Sequence, residues 1–245
     1  MSRPAGPKTA VRSSDAVFKA ASQDDDAAAF TNAVLATIQQ QGYAHITKPL
    51  DPESFETIAS MMGSIAMRTD LVITPGRSSI VYKPDAIAFH QDNPLMNIIG
   101  WHCVHQDDVD GSARLIDTAD IADHFTPNQL MTMTGIEIRC PDADPNRHNP
   151  DKGIISYFLW PMLTKQRTRF EVYYVPWLKL DSYSAEQREI IQQFDTYLLA
   201  KEVINIRLNE GETLFIDNNR LLHGRGPIHT GSKRFLKRVW IKRNT

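Results

Sequence analysis

Between residue 71 and residue 241 the chain is a succession of short β-prone runs divided by turn residues, and this pattern limits its fold more than any other feature. The runs cover residues 71–74, 79–82, 97–105, 113–117, 136–140, 154–160, 170–175, 203–208, 213–217 and 234–241. Pro75-Gly76 and Asn209-Glu210-Gly211 are typical of the punctuation between them. Many short strands with turn chemistry predict a sandwich, barrel or jelly roll. Helices flank that core. Phe30, Val34, Leu35 and Ile38 share one face of a helix ending at Gln41, before Gly42 and a strand over 43–47. Asp51-Pro52 opens a second helix through Met62, proline being tolerated in a first turn. Thr126-Pro127 starts a short helix. Ser184 and Gln187 form a capping box ahead of Ile190, Phe194, Tyr197 and Leu198. The expected fold class is mainly β with flanking helices.

At 245 residues the chain suits one domain with a large core. Residues 1–24 are rich in Ser, Ala, Pro and Asp without a sustained period, and predict a flexible N-terminal arm. Residues 25–245 then form the single domain, with a variable insert or lid around 141–180 that begins in a polar, Pro/Asp-rich loop. The 27 basic and 29 acidic residues nearly balance, and no basic run predicts a nucleic-acid partner. No apolar run reaches membrane-span length, so no membrane partner is expected. Two cysteines, Cys103 and Cys140, do not make a disulfide scaffold and fit a cytoplasmic protein. A homo-oligomer is left open.

Chemistry concentrates in two distant segments. One is His90-Gln91-Asp92; the other is His223, in the run from Asp217 to Arg225. Residues two apart on a strand face the same way, so His90 and Asp92 can converge on one ion while Gln91 points away. His223 joins them only if the sheet folds back on itself, as in a jelly roll. Two histidines and one carboxylate can form the facial triad of a non-haem Fe(II) site, with open metal positions. Taken alone, His-x-Asp recurs by chance. Arg234 and Arg238 add a second clue, because they lie four apart in a strand pattern and so face one side. Arginine suits bidentate carboxylate contacts, and two inward arginines in an apolar strand need anions. His102, His105 and His148 lack matched partners and are read as structural or surface residues.

His90-x-Asp92-Asn93-Pro94, Trp101-His102-Cys103-Val104, the stretch from Asp110 to Asp117, that from Gly211 to Arg225, and that from Arg234 to Trp240 resemble the Fe(II)/2-oxoglutarate-dependent oxygenases of the taurine dioxygenase and clavaminate synthase-like family. The resemblance runs over about residues 30–243 and is weakest at 141–180. It implies a double-stranded β-helix (jelly roll) core. It implies iron on His90, Asp92 and His223, with 2-oxoglutarate and O2 as co-substrates. Arg234 would hold the distal carboxylate of 2-oxoglutarate, and Arg238 an anionic group of the substrate. Asn93 and Arg225 are further substrate-binding candidates. The family commonly has a threonine hydroxyl where this chain has Ala113. Asp92 argues against halogenation, since related halogenases lack that carboxylate. The expected activity is oxidation (hydroxylation, desaturation or ring chemistry) of a small carboxylate-bearing substrate, a free amino acid or derivative, coupled to conversion of 2-oxoglutarate to succinate and CO2. The alternatives are an oxygenase for a sulfonate or aryloxy acid, and a non-catalytic jelly-roll protein that binds a metal or small ligand.

Overall fold

The computed structural model describes residues 23–144, 146–149 and 152–243. The arm expected over 1–24 lies outside them, save Gln23 and Asp24, which already belong to the first helix. Helix α1 (Gln23–Gln41) leads into strand β1 (Tyr43–Ile46). In α2 (Pro52–Met62), the Asp51 carboxylate accepts the Ser54 N–H and caps the first turn.

Nine strands form the two facing sheets. The larger has the order β1, β11 (Thr213–Asp217), β4 (Ile98–His105), β13 (Phe235–Lys242), β2 (Ser64–Val72). The smaller has the order β10 (Ile204–Ile206), β5 (Ala113–Asp117), β12 (Leu221–Arg225), β3 (Ile87–His90). Every pairing within them is antiparallel. This is the double-stranded β-helix core with flanking helices that the family resemblance implied, one of the three β architectures the run of short strands left open.

Strand alternation sorts the apolar residues into three layers. Ile99, Trp101, Cys103, Leu115, Leu214 and Leu236 point between the sheets. Phe215 and Ile241 point outward and pack under Phe55, Ile58 and Met62 of α2. Ile116 and Leu222 leave the smaller sheet on its other face. There they meet Leu130 and Met133 of α4 (Pro127–Thr134) and Phe194 and Tyr197 of α5 (Ala185–Ala200). Capping boxes start both of those helices: Thr126 with Gln129, and Ser184 with Gln187.

The 141–180 region holds more structure than a loop. The hairpin β6 (Glu137–Pro141) with β7 (Tyr157–Pro161), and β8 (Leu163–Lys165) with β9 (Phe170–Val172), pack onto the α4/α5 layer. Two expectations change. Residues 79–82 form a 3₁₀ turn (Ile80–Tyr82), not a strand, closed by a Tyr82 N–H to Ser79 carbonyl bond. His90 and Asp92 do not share a strand, because β3 ends at His90 and Asp92 sits in the turn beyond it. Strands β8 and β12 and the short α3 (Ile121–His124) were not anticipated from the sequence.

Candidate active site

A cavity lies between the two sheets. Its walls come from Trp101, Leu214, Leu236 and Arg238 of the larger sheet and from Ile87, His90, Ala113, His223 and Arg225 of the smaller. Most of the lining is apolar, so its few polar side chains stand out.

At one end His90, Asp92 and His223 converge, each offering a ligand atom within 4.8 Å of the others. His90 Nε2 is 3.8 Å and His223 Nε2 3.9 Å from Asp92 Oδ1, separations that one ion with bonds of roughly 2 Å can bridge. The strands bring them together: His223 pairs directly with His90 across β12 and β3. Gly224 lets β3 come this close, since a Cβ there would meet the Ile87 carbonyl oxygen at 2.7 Å.

Each of the three side chains is oriented by its surroundings. The Nδ1–H of His90 donates to the Ala88 carbonyl at 2.8 Å, which turns Nε2 toward Asp92. Asp92 Oδ2 accepts from Trp240 Nε1 at 2.7 Å and from Arg238 Nη1 at 3.1 Å, so Oδ1 is the oxygen left for a metal. The turn carrying Asp92 is pinned by Asn218. Its Oδ1 accepts the Asp92 N–H, and its Nδ2 donates to the carbonyls of Asn93 and Met96. Gln91 points away, as expected, and exchanges two hydrogen bonds with the Tyr174 backbone. The Trp101 ring lies edge-on to His223, and the half-exposed Trp177 ring tilts against His90 at 5.0 Å.

Burial lowers the proton affinity of both imidazoles. It outweighs the attraction of Asp92 at His90, and together with repulsion from His90 it takes His223 down to about 3. Burial alone would raise the Asp92 carboxyl, but Arg238, His223 and His90 reverse that and hold it low. Two neutral imidazoles and one carboxylate are the protonation states a divalent cation needs.

At the other end Arg234 is buried. It donates through Nε to Gln106 Oε1 and through Nη2 to the Gly111 carbonyl. Burial first, then Arg225, lowers its proton affinity to about 10. Arg225 lines the same cavity, and its Nη2 donates to the carbonyls of Lys83 and Asp85. Arg238 shares the cavity with Arg234, as the four-residue spacing predicted. Asn93 is buried and lies outside the cavity wall, with its amide held by the Pro141 carbonyl and the Leu95 N–H. His102 stacks on Phe55 and bonds the Thr213 hydroxyl, while His105 pairs with Glu210 at the surface. Sequence reasoning missed Asn218, Trp240, Trp177 and Gln106. Trp240 was legible in principle, since it lies two residues beyond Arg238 on one strand face.

The model of the taurine catabolism dioxygenase TauD, TfdA family matches residues 2–240. The chain belongs to that dioxygenase family. It is accordingly a non-haem Fe(II)- and 2-oxoglutarate-dependent dioxygenase, and the donor set at the metal end suits the metal. Among curated proteins no sequence matches. Solved structures share the fold of the dioxygenase. An asparagine oxygenase in complex with Fe(II), 2S,3S-3-hydroxyasparagine and succinate superposes with TM-score 0.69 at 14% identity, over 88% of this chain and 79% of that one. The non-haem iron oxygenase OrfP in complex with Fe and α-ketoglutaric acid gives 0.68 at 13% identity, over 90% and 80%. OrfP in complex with Fe, succinate and (3S)-hydroxy-L-Arg gives 0.68 at 13% identity, over 90% and 82%.

Proposed function

We propose that the dioxygenase oxidises a free amino acid or amino-acid derivative, with iron on His90, Asp92 and His223 and 2-oxoglutarate lying along the cavity toward Arg234. The observation that carries this reading is the cavity itself, a mostly apolar space with a metal-ligand set at one end and a buried guanidinium held only by neutral acceptors at the other. When bound, the iron supplies the oxidising chemistry, driven by conversion of 2-oxoglutarate and O2 to succinate and CO2.

The chain's own residues supply position and exclusion of water. Arg234 takes the distal carboxylate of the co-substrate. Arg238 steadies Asp92 through Nη1, and its remaining N–H groups serve a substrate anion; its Nε is buried without a partner. Trp177, half-exposed against His90, covers the substrate side of the centre. The β6–β7 hairpin and the segment after it shape specificity, as loops on a rigid scaffold do. Amino-acid products in the asparagine oxygenase and OrfP complexes support this choice of substrate class. Cys103 and Cys140 are free and buried, which supports a cytoplasmic location; among the described residues no helix is long and apolar enough to cross a membrane.

The test is succinate release by the iron-loaded protein across the proteinogenic amino acids and their simple derivatives. We expect a subset to stimulate release that needs iron, 2-oxoglutarate and O2 together. Stimulation by sulfonates or aryloxy acids alone would establish the rival suggested by the family's description, because Arg238 suits any such anion. Metal binding without stimulation by any member of the panel would overturn the amino-acid reading of the substrate.

A further inference from the structure

We propose that Arg225 is a second binding residue for the distal carboxylate of 2-oxoglutarate, working beside Arg234 as a two-arginine clamp. The inference deepens the co-substrate reading above and rests on it. His223 and Arg225 are two apart on β12, so both side chains enter the cavity, and Arg225 lies roughly 6–7 Å further along the strand from the metal end. Arg234 reaches the same end from the facing sheet, just before β13.

Both guanidinium groups are buried, with only 6% of each residue exposed. Every acceptor they have is neutral: the carbonyls of Lys83 and Asp85 for Arg225, and the Gln106 amide and Gly111 carbonyl for Arg234. Among the described residues no carboxylate stands within hydrogen-bonding reach of either. The acids that act on them do so at longer range: Asp85 and Asp107 on Arg225, Asp107 and Asp110 on Arg234. Asp107 accepts the N–H groups of Val109, Asp110 and His229, and Asp110 accepts that of Ser112. Ala113 stands opposite Arg225 in the β5–β12 register and offers no polar atom.

Two like charges in an apolar cavity repel each other, and neither is hydrogen-bonded to a carboxylate, an arrangement that an entering anion relieves. The tether on Arg225 uses one nitrogen, and its Nε is buried with no acceptor at all. A residue serving only to tie down the 83–85 turn would not need a charge inside the cavity. A carboxylate at this end offers two oxygens, enough for both forks.

The experiment is anaerobic calorimetric titration of the Fe(II)-loaded full chain with 2-oxoglutarate and with 2-oxopentanoate, which has the same carbon chain but no distal carboxylate. In the wild type 2-oxoglutarate should bind far more tightly. In Arg225→Met we expect its Kd to rise about tenfold or more while that of 2-oxopentanoate changes by about twofold or less. Arg225→Lys, which keeps the charge, should fall between wild type and Arg225→Met in its preference for 2-oxoglutarate. Equal weakening of both ligands in Arg225→Met would mean that Arg225 only supports the turn, and unchanged affinity for both would also overturn the clamp. Arg234→Met separates the two levels of the argument: if it too leaves 2-oxoglutarate binding intact, the co-substrate reading itself falls.

Discussion

The two ends of the cavity handle buried charge in opposite ways. At the metal end the protein carries its own counter-charges: Asp92 lies among two neutral imidazoles and Arg238, and its second oxygen is shared by Arg238 and Trp240. At the far end Arg225 and Arg234 face each other's charge with only neutral acceptors. One end is therefore assembled before any ligand arrives, and the other is completed by a ligand. The same kind of substitution should have opposite consequences at the two ends.

The largest effect is expected where the assembled end is broken. Asp92→Ala removes the anionic ligand and strands Arg238 without a partner. Iron affinity should fall by more than the roughly 10–100-fold that loss of a supporting residue costs, and stimulated succinate release should vanish. Equilibrium dialysis with Fe(II) checks the first and a coupled succinate assay the second. Retained turnover would remove this triad from the mechanism.

The sharpest contrast is between Arg238→Met and Arg234→Met in the metal-free protein. Arg238→Met leaves the buried Asp92 carboxylate short of its charged partner, a class of change that costs about 3–5 kcal/mol. Arg234→Met removes a buried cation that is hydrogen-bonded to no carboxylate, so the metal-free fold should lose less than Arg238→Met does. Its cost appears instead in 2-oxoglutarate binding, about 2–5 kcal/mol of lost charged contact. Urea unfolding of the two variants reads the first difference, and calorimetry the second. Equal destabilisation by both would erase the distinction between the ends.

Trp240→Phe tests how far the assembled end depends on its supports. An aromatic ring is kept, and the 2.7 Å hydrogen bond to Asp92 Oδ2 is lost. Iron affinity should drop by about tenfold, with 2-oxoglutarate binding to the iron-loaded protein nearly unchanged. A silent variant would show that Arg238 alone orients the carboxylate.

How much of this was legible from sequence follows the same divide. A sandwich, barrel or jelly roll showed in the spacing of β-prone runs, and the helix starts showed in Asp51-Pro52, Thr126-Pro127 and the Ser184 box, because those signals are local. The cavity-facing pair Arg234 and Arg238 also followed from strand alternation alone. Strand β12 was missed, since Leu221-Leu222-His223-Gly224-Arg225 has no β-branched residue and is made a strand by β3 and β5 on either side. Asp92 was placed on a strand with His90, whereas Asn218 from the β11–β12 turn bends the chain immediately after His90. Arg225 left its role open because nothing local says that Ala113 will stand across from it. What depended on pairing between distant segments could not be read without the fold.

Gly111 offers a smaller, more local test of the far end. Its φ of 87° is left-handed, and a Cβ there would stand 2.9 Å from Arg234 Nε. Gly111→Ala therefore strains the backbone and pushes the guanidinium away from both Gln106 and the cavity. Affinity for 2-oxoglutarate should weaken several-fold while iron affinity stays within about twofold. Loss of iron binding instead would mean that the two ends move as one unit.

The smallest effect expected is acid sensitivity of the loop that carries Gln106 and Gly111. Burial alone would raise the Asp107 carboxyl, but hydrogen bonds from the Ser232 hydroxyl and from the N–H groups of Asp110, Val109 and His229 outweigh it and hold it at about 2. A carboxyl depressed below its unfolded value of about 3.9 contributes stability that is complete above that value and is lost as pH falls toward the folded one. The Asp107 contribution should therefore be constant near neutrality and disappear between about pH 4 and pH 2. Asp107→Asn should be less stable than wild type at pH 7, and the gap in urea midpoint should close as the pH is lowered through that window. The metal end gives the wrong pattern to mimic this, because the hydrogen bonds of the Asp107 carboxylate stay within the loop and the segment before Arg234. A gap that stays constant down to pH 2 would mean that the carboxylate holds the loop by shape alone, and that the charge at the far end resides in the two arginines.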